Sequence, residues 1–355
     1  MANHPSRAAR SSLHVLRPVL VAGPTAVGKS ALALALAGRL NGEIVSVDSM
    51  QVYRGLDIGT AKPSPEERRR VRHHLIDVAE PNDPFDAARF MRLAHAAVAD
   101  IQRRGRVPVL CGGTGLYFKT FLEGLGEAPP ADEALRTELE AAPLPQLLAE
   151  LEQRDPVTFA KIDRRNPRRV IRALEVIRLT DRPFSEQQGR WNAASGMQNA
   201  EFFFGLTRSA DDLGARIDFR VDQMFARGLV GETERLLKRG LAGNKTAMQA
   251  IGYRQVAEHL RGERSLADTI ALVKRRTRQF ARRQMTWFRR QFRLEWIHLA
   301  PNVGAEAMAG QLSELISPGG ARILPVTGGT DRPKSEGATG PEPAANNRNC
   351  GFNPG

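Results

Sequence analysis

The stretch that decides the fold of this chain reads Gly23-Pro24-Thr25-Ala26-Val27-Gly28-Lys29-Ser30. It fits the pattern G-x-x-x-x-G-K-S/T, in which the glycines let the backbone bend so that its N–H groups surround a chain of phosphates. An apolar run at 15–22 precedes the stretch, and a run of Ala and Leu at 31–40 follows it. Strand, loop and helix in this order predict a phosphate-binding loop (P-loop) rather than a glycine-rich turn that matches by chance.

Two side chains of the P-loop are expected to act on the bound phosphates. Lys29 places a positive charge on the phosphate oxygens, and the hydroxyl of Ser30 reaches a Mg²⁺ ion held by the same oxygens. We therefore expect Mg²⁺ as a cofactor, with Ser30 as its protein ligand. The P-loop alone does not determine which phosphate compound is bound or which reaction follows.

The segment after the P-loop alternates between strand and helix patterns, which is typical of a parallel sheet. Asp48 and the loop Gly112–Gly115 each follow a predicted strand, as the P-loop does. Ligands of such sheets collect beyond the carboxyl ends of the strands, so we expect these three features to meet. The strands are predicted at 43–48, at Leu75–Val78 and at 107–111, with helices at 86–104 and from Leu116.

The pattern changes near Pro129-Pro130, after which the chain is charged and helical up to about residue 199. Strand patterns return at 201–206 and 294–299, with helices between them. The predicted fold is α/β, with a P-loop NTPase-like parallel sheet flanked by helices and an inserted all-helical domain. Its predicted parts are a disordered extension at 1–14, a core at 15–131 and 200–316, the insertion at 132–199, and a disordered tail at 317–355.

Composition limits the class of protein. The formal net charge is +13, from 52 Lys and Arg against 39 Asp and Glu, which favours a polyanionic partner. The two cysteines, Cys111 and Cys350, indicate neither a disulfide framework nor a zinc site. This cysteine content fits a reducing, cytoplasmic setting. No apolar run is long enough to span a membrane, so we expect no membrane partner. We also expect the protein to act as a monomer.

The densest basic stretch is Leu272–Arg293, which contains no acidic residue and has apolar residues at helical spacing. A second basic cluster lies at 164–172, in the predicted insertion. Two basic surfaces on different domains favour an extended nucleic acid, whose phosphates they would position. The alternative is a solvated helix whose arginines pair with acids elsewhere, and Trp287 either stacks on a base or is buried.

Three polar residues near the P-loop are candidates for chemistry. Asp48 can hold Mg²⁺ or act as a general base, and the alternative is an aspartate that caps a turn. Gln51 can pair with an adenine edge. Thr114 can offer its hydroxyl to a developing negative charge, unless it only caps a tight turn.

Several longer blocks resemble the signatures of the tRNA dimethylallyltransferases (tRNA isopentenyltransferases). The resemblance runs in order from about Val19 to Leu299, and its longest block begins at Asp48. Beside the P-loop, the blocks are Asp48–Pro63, His73–Asp77, Gly112–Tyr117, Ala250–Gln255 and Arg282–Arg289.

The resemblance implies transfer of a dimethylallyl group from its diphosphate to N6 of adenosine 37, next to the anticodon of a tRNA. The P-loop residues Gly23–Ser30 would then hold the diphosphate of the prenyl donor, with Arg220 as a second contact. Asp48 would accept the proton from the attacking amine, and Thr114 would lie near the diphosphate and the target base. The stacked base would have to flip out of the anticodon loop.

The resemblance also implies which residues bind the anticodon stem-loop of tRNA. Arg168 departs from the Gln that is common in the family's motif, and adds positive charge. The implied tRNA contacts are Asp48, Ser49, Met50, Gln51, Thr114, Arg136, Arg168, Arg169, Val170, Ile171, Arg172, Gln249, Ala250, Ile251, Gly252, Tyr253, Arg254, Arg282, Arg283, Gln284, Met285, Thr286, Trp287, Phe288 and Arg289.

Two other functions remain open from the residues alone. A P-loop kinase of a small metabolite shares the loop and the carboxylate at Asp48, but leaves the basic stretches unexplained. An ATP-switched RNA-binding module explains the charge and the loop, but makes Asp48 and Thr114 incidental. In both alternatives the P-loop binds ATP.

Overall fold

The computed structural model describes residues 17–125, 129–187 and 202–317. The extension predicted at 1–14 lies outside the described residues. So do the tail beyond Ser317, residues 15–16 of the first predicted strand, and residues 188–199 of the predicted insertion.

Within the described residues, six parallel strands form one sheet in the order β3-β2-β4-β1-β5-β6. The P-loop strand β1 is near the centre, between β4 and β5. The strands are β1 (Val19–Ala22), β2 (Gly42–Val47), β3 (His73–His74), β4 (Val107–Gly112), β5 (Phe202–Thr207) and β6 (Glu295–His298).

Helices connect the strands and cover both faces of the sheet. They are α1 (Lys29–Arg39), α2 (Pro65–Arg70), α3 (Ala87–Arg103), α4 (Gly115–Glu123), α5 (Glu133–Ala141), α6 (Leu144–Arg154), α7 (Pro156–Lys161), α8 (Pro167–Thr180), α9 (Phe184–Gln187), α10 (Ala210–Ala226), α11 (Leu229–Lys238), α12 (Tyr253–Leu260), α13 (Leu266–Gln291) and α14 (Ala305–Ile316). Among the described residues, none of these helices is long and apolar enough to cross a membrane.

The core consists of two layers because successive side chains of a strand point to opposite faces of the sheet. Val19 and Val21 of β1 pack with α1 and α14 on one face. Leu20 and Ala22 pack with α3, α4 and Phe288 of α13 on the other. Every residue of β1, β2 and β4 is buried, as expected for parallel strands covered on both sides. The predicted α/β class is confirmed.

The strand predicted at Leu75–Val78 is wrong in position. The third strand is β3, at His73–His74, and the chain then turns because Leu75 and Asp77 have φ angles of 61° and 58°. Leu75 is nevertheless buried in the core. The apolar pattern at this point therefore reflects burial rather than continued strand pairing.

The described part of the predicted insertion, 132–187, is helical. Helices α5, α6 and α8 share a hydrophobic cluster drawn from this segment alone. Leu139, Leu151 and Leu174 are among its buried members. The helices of this segment thus have an apolar core that is separate from the two layers beside the sheet.

Candidate active site and nucleic-acid interface

The P-loop connects β1 to α1 in the conformation that its glycines were expected to allow. Gly28 has a φ of 110°, and Gly23 approaches β5 so closely that an added Cβ would lie 2.8 Å from the carbonyl oxygen of Leu206. Helix α1 begins directly after Gly28 without a capping side chain. This geometry leaves the N-terminus of α1 suited to an anionic ligand.

Two positively charged side chains, Lys29 of the P-loop and Arg220 of α10, are shielded from solvent. Burial lowers the pKa of Lys29 to about 8, and its Nζ donates a hydrogen bond of 2.7 Å to the carbonyl oxygen of Pro24. Burial also lowers the pKa of Arg220, whose Nη2 lies 3.4 Å from the carbonyl oxygen of Thr60. An anion beside these two groups would offset their desolvation.

A cavity of about 380 Å³ lies beyond the carboxyl ends of β1, β2 and β4. It brings together the separate blocks of sequence, as the parallel sheet predicted. The predicted residues that line it are Thr25, Lys29, Ser30, Asp48, Ser49, Met50, Gln51, Thr114, Arg220, Gln249, Ala250, Ile251, Arg283 and Gln284. A second cavity, of about 520 Å³, shares Lys29, Ser30 and Arg220 and continues past Arg216 and the exposed ring of Phe219.

Asp48 both holds a turn and lines the cavity. Its Oδ1 accepts hydrogen bonds from the backbone N–H groups of Met50, at 2.8 Å, and Gln51, at 3.3 Å. The turn interpretation is therefore correct, and the carboxylate is still in the cavity wall. The two bonds orient the carboxylate without occupying both of its oxygens.

Thr114 joins the loop after β4 to the loop after β2. Its Oγ1 accepts a hydrogen bond from the backbone N–H of Ser49 at 3.0 Å. It does not cap α4 through its side chain. The two loops approach closely because Gly112 has no side chain, and an added Cβ there would lie 2.0 Å from the carbonyl oxygen of Val47.

The side chain of Gln51, which is expected to read an adenine edge, makes hydrogen bonds within the protein. The amide oxygen accepts a hydrogen bond from Ser46 Oγ at 3.0 Å, and the amide nitrogen donates to the carbonyl oxygen of Thr60 at 3.2 Å. The amide oxygen has a further hydrogen-bonding position, so pairing with an adenine edge stays a prediction. Its role in this arrangement is to hold the loop at Thr60 against β2.

Gln284 of α13 is buried, and Trp287 of the same helix is half-buried. Gln284 bridges two loops, since it accepts from Thr25 N and donates to Gly113 O, both at 2.9 Å. The ring of Trp287 lies so close to Gly115 that an added Cβ would be 2.1 Å from it. Trp287 is half-buried, with its ring packed against Gly115, and stacking of a base on it stays a prediction.

The basic residues of helix α13 differ in whether they pair with acidic residues. Lys274 and Arg278 form ion pairs with Asp222 and Asp218 of α10. Among the described residues, no carboxylate forms an ion pair with the exposed residues Arg282, Arg283 and Arg289. The alternative of arginines paired with distant acids therefore holds for Lys274 and Arg278, whereas Arg282, Arg283 and Arg289 keep their charge for a partner.

The predicted tRNA contacts in the insertion likewise include arginines that pair with an acid and arginines that are exposed. Arg136 and Arg172 each bind the fully buried carboxylate of Glu175 at 2.7 Å. Burial opposes the charge of Glu175, but hydrogen bonds from these arginines hold its pKa below the ordinary value. Arg168 and Arg169 are exposed.

Six predicted tRNA contacts have side chains that are buried in this structure. Two of them, Ala250 and Gln284, line the cavity, and the others pack in the interior. They are Val170, Ile171, Ala250, Tyr253, Gln284 and Phe288. Gly252 is buried as well, whereas Gln249 and Arg254 are exposed.

The sequence interpretation missed two buried charged residues that hold the loop at 57–62. Lys62 donates to the carbonyl oxygen of Tyr53 at 2.5 Å and to Asp77 at 2.6 Å. Glu232 of α11 accepts hydrogen bonds from the backbone of the same loop. A signal for Glu232 existed, because it shares a helix face with the apolar residues Leu229 and Leu236.

Comparison with known proteins gives a consistent result. The sequence profile described as IPP transferase matches residues 51–291. The chain belongs to the IPP transferase family. Among relatives, "tRNA dimethylallyltransferase 1" of Trichlorobacter lovleyi is 47% identical over 81% of this chain and 95% of its own length. The tRNA dimethylallyltransferase of Geobacter metallireducens is 48% identical over 79% and 92%.

Solved structures of the IPP transferase family agree with the fold. The full-length tRNA isopentenylpyrophosphate transferase of Bacillus halodurans has 40% identity and a TM-score of 0.62, covering 84% of this chain and 95% of its own. A eukaryotic dimethylallyltransferase acting on tRNA has 28% identity and a TM-score of 0.72, covering 84% and 79%.

Proposed function

We propose that this protein transfers a dimethylallyl group from dimethylallyl diphosphate to N6 of adenosine 37 in tRNA. The products are N6-dimethylallyladenosine and diphosphate. The observation that carries the proposal is the single cavity lined by the P-loop, Arg220, Asp48 and Thr114. The names of the relatives support the donor group and the tRNA acceptor.

The reaction needs an attacking amine, a leaving group and a base. N6 of the adenosine forms a bond to C1 of the dimethylallyl group, and the bond from C1 to the diphosphate oxygen breaks with its electron pair on the oxygen. Asp48 takes the proton that N6 loses. Its carboxylate is suited to this step because Met50 and Gln51 orient it through one oxygen only.

The diphosphate is assigned to the P-loop side of the cavity. Lys29 and Arg220 line this side, and both are desolvated before an anion arrives. Their charges stabilise the negative charge that grows on the diphosphate as the C–O bond breaks. Because the P-loop recognises phosphates and not a base, a prenyl diphosphate fits it as well as a nucleotide does.

The residues present also fit the expected Mg²⁺ ion. The hydroxyl of Ser30 is exposed and lines the cavity, and Asp48 adds a carboxylate nearby. The described residues contain no cluster of three or more His, Cys, Asp or Glu that could hold a metal ion by themselves. The ion would therefore arrive with the diphosphate, to which it supplies neutralising charge, and Ser30 would provide one oxygen ligand.

The tRNA is assigned to the exposed arginines of α13 and of the insertion. Arg282, Arg283 and Arg289 lie on one element, and Arg168 and Arg169 lie on another. We propose that the segment 132–199 is a separate helical domain that contacts tRNA, beside a core formed by 15–131 and 200–316. The enzyme would act as a cytoplasmic monomer.

The test is a transfer assay with labelled dimethylallyl diphosphate and tRNA that lacks the modification, with and without ATP. We expect label to enter the tRNA in both reactions. We also expect this transfer to require Mg²⁺. Label that never enters the tRNA, together with consumption of ATP, would contradict the proposal and favour the kinase or the ATP-switched module.

A further inference from the structure

A buried carboxylate lies beneath the loop that carries Gly59 and Thr60. Glu232 is 5% exposed and accepts hydrogen bonds from the backbone N–H groups of Asp57, at 3.2 Å, and Ile58, at 2.9 Å. Among the described residues it forms no ion pair with a cation. The carboxylate therefore occupies a nest of backbone N–H groups, a place where proteins commonly bind external anions.

Tyr253 completes the arrangement. Its hydroxyl donates to Glu232 at 2.6 Å and accepts from the backbone N–H of Gly59 at 3.1 Å. An added Cβ at Gly59 would lie 2.5 Å from the Tyr253 ring. Burial and the charge of Glu232 raise the pKa of Tyr253, so its hydroxyl remains a hydrogen-bond donor at working pH.

This loop carries a carbonyl oxygen that accepts hydrogen bonds from two residues of the cavity. The carbonyl oxygen of Thr60 accepts from Gln51 Nε2 at 3.2 Å and from Arg220 Nη2 at 3.4 Å. Thr60 is thus in contact with the guanidinium of Arg220, which lines the cavity together with Lys29 of the P-loop. A shift of the loop would move Arg220 even though no residue in the P-loop changed.

We propose that Glu232 is a positioning residue for prenyl transfer. Together with Tyr253 it holds residues 57–59 so that Thr60 directs Arg220 toward the donor diphosphate. The same contact links the donor side of the cavity to the segment 249–254, which contains the exposed residues Gln249 and Arg254. The proposal rests on the proposed function, because the ligand of Arg220 is taken to be the donor diphosphate.

The first test is Glu232→Gln, which keeps the shape of the side chain and removes its charge. The matched control is Glu234→Gln on the same helix, where the carboxylate is exposed and pairs with Lys238. We expect the Kd for dimethylallyl diphosphate to rise about tenfold in Glu232→Gln, the value of a charge-assisted hydrogen-bond network. The Kd for tRNA should change by less than about twofold, and the control should match the wild type in both.

A double-mutant cycle with Arg220→Lys distinguishes positioning from general support of the fold. If Glu232 acts through Arg220, the double variant binds the donor no more weakly than the worse single variant, because the two changes remove one interaction. Additive losses would overturn the proposal. So would a lower Tm in Glu232→Gln with an unchanged donor Kd, since that result indicates a structural role only.

Tyr253→Phe keeps the proposal testable if Glu232→Gln does not fold. It removes one hydroxyl, and we expect the donor Kd to rise about threefold. A wild-type donor Kd in this variant would overturn the proposal. Because donor binding is measured without tRNA, a wild-type enzyme that binds the donor but never labels tRNA would refute the proposed function separately.

Discussion

At the scale of single residues, Asp48 shows how one side chain serves structure and chemistry together. Its Oδ1 accepts two backbone hydrogen bonds, so the carboxylate is held in one orientation in the cavity wall. A capping aspartate and a general base are therefore compatible interpretations. The turn fixes the orientation of the carboxylate, and its place in the cavity wall exposes it to a bound substrate.

Asp48→Asn separates these two roles. Asparagine keeps the oxygen that accepts from Met50 and Gln51, but it cannot take a proton from N6. We expect kcat to fall by about 10²–10⁴, the usual contribution of a general base. The Kd for tRNA, measured by filter binding, should stay close to that of the wild type. A loss of tRNA affinity as large as the loss of kcat would contradict the assigned role.

Lys29 predicts a pH dependence of donor binding. Its pKa in the free enzyme is lowered to about 8, and a bound diphosphate would raise it. Below pH 8 the free and bound forms are both protonated, so affinity for dimethylallyl diphosphate is not affected by this group. Above pH 8 binding must take up a proton, and the affinity should weaken by up to about tenfold per pH unit.

The control for this pH dependence is Lys29→Arg, measured by calorimetry with the same donor. A guanidinium stays charged over the whole range, so the decline above pH 8 should flatten. The titration of the donor itself is common to both proteins and cancels in the comparison. Parallel curves for the two proteins would show that Lys29 is not the titrating group.

At the scale of elements, α13 combines three tasks along one helix. Its N-terminal part pairs with α10 through Lys274 and Arg278, and its buried face packs Phe288 into the core. The exposed arginines at 282, 283 and 289 form no ion pair within the described residues, so their charge remains for a polyanion. The sequence showed the charge of the whole stretch, but the pairing depends on acids of α10, which are distant along the chain.

The salt dependence of tRNA binding tests this division of α13. We expect each of Arg282→Ala, Arg283→Ala and Arg289→Ala to reduce the slope of log Kd against log salt by about one. The reason is that tRNA binding releases fewer counterions when one phosphate contact has been removed. Arg278→Ala makes the same charge change on the same helix but removes a pair with Asp218, so its slope should change less. Equal slopes for all four variants would contradict the assignment.

At the scale of the whole molecule, the parallel sheet explains why distant blocks form one site. The P-loop, Asp48 and Thr114 follow β1, β2 and β4, which are neighbours in the sheet although they are far apart along the chain. Their meeting was predictable, because the carboxyl ends of parallel strands lie at one edge. The end of β3 was not predictable, because the positive φ of Leu75 left no mark in an apolar pattern.

The sequence alone determined the α/β class, the P-loop, the basic late helix and the family. These features are local patterns, and hydrophobic periodicity, glycine spacing and charge are readable along the chain. Only the tertiary structure decided which polar side chains are free. It placed Gln51 on Thr60, Trp287 on Gly115 and Glu232 beneath the loop at 57–59. The physical reason is that a buried polar group takes whichever partner folding brings near, and those partners lie far away in sequence.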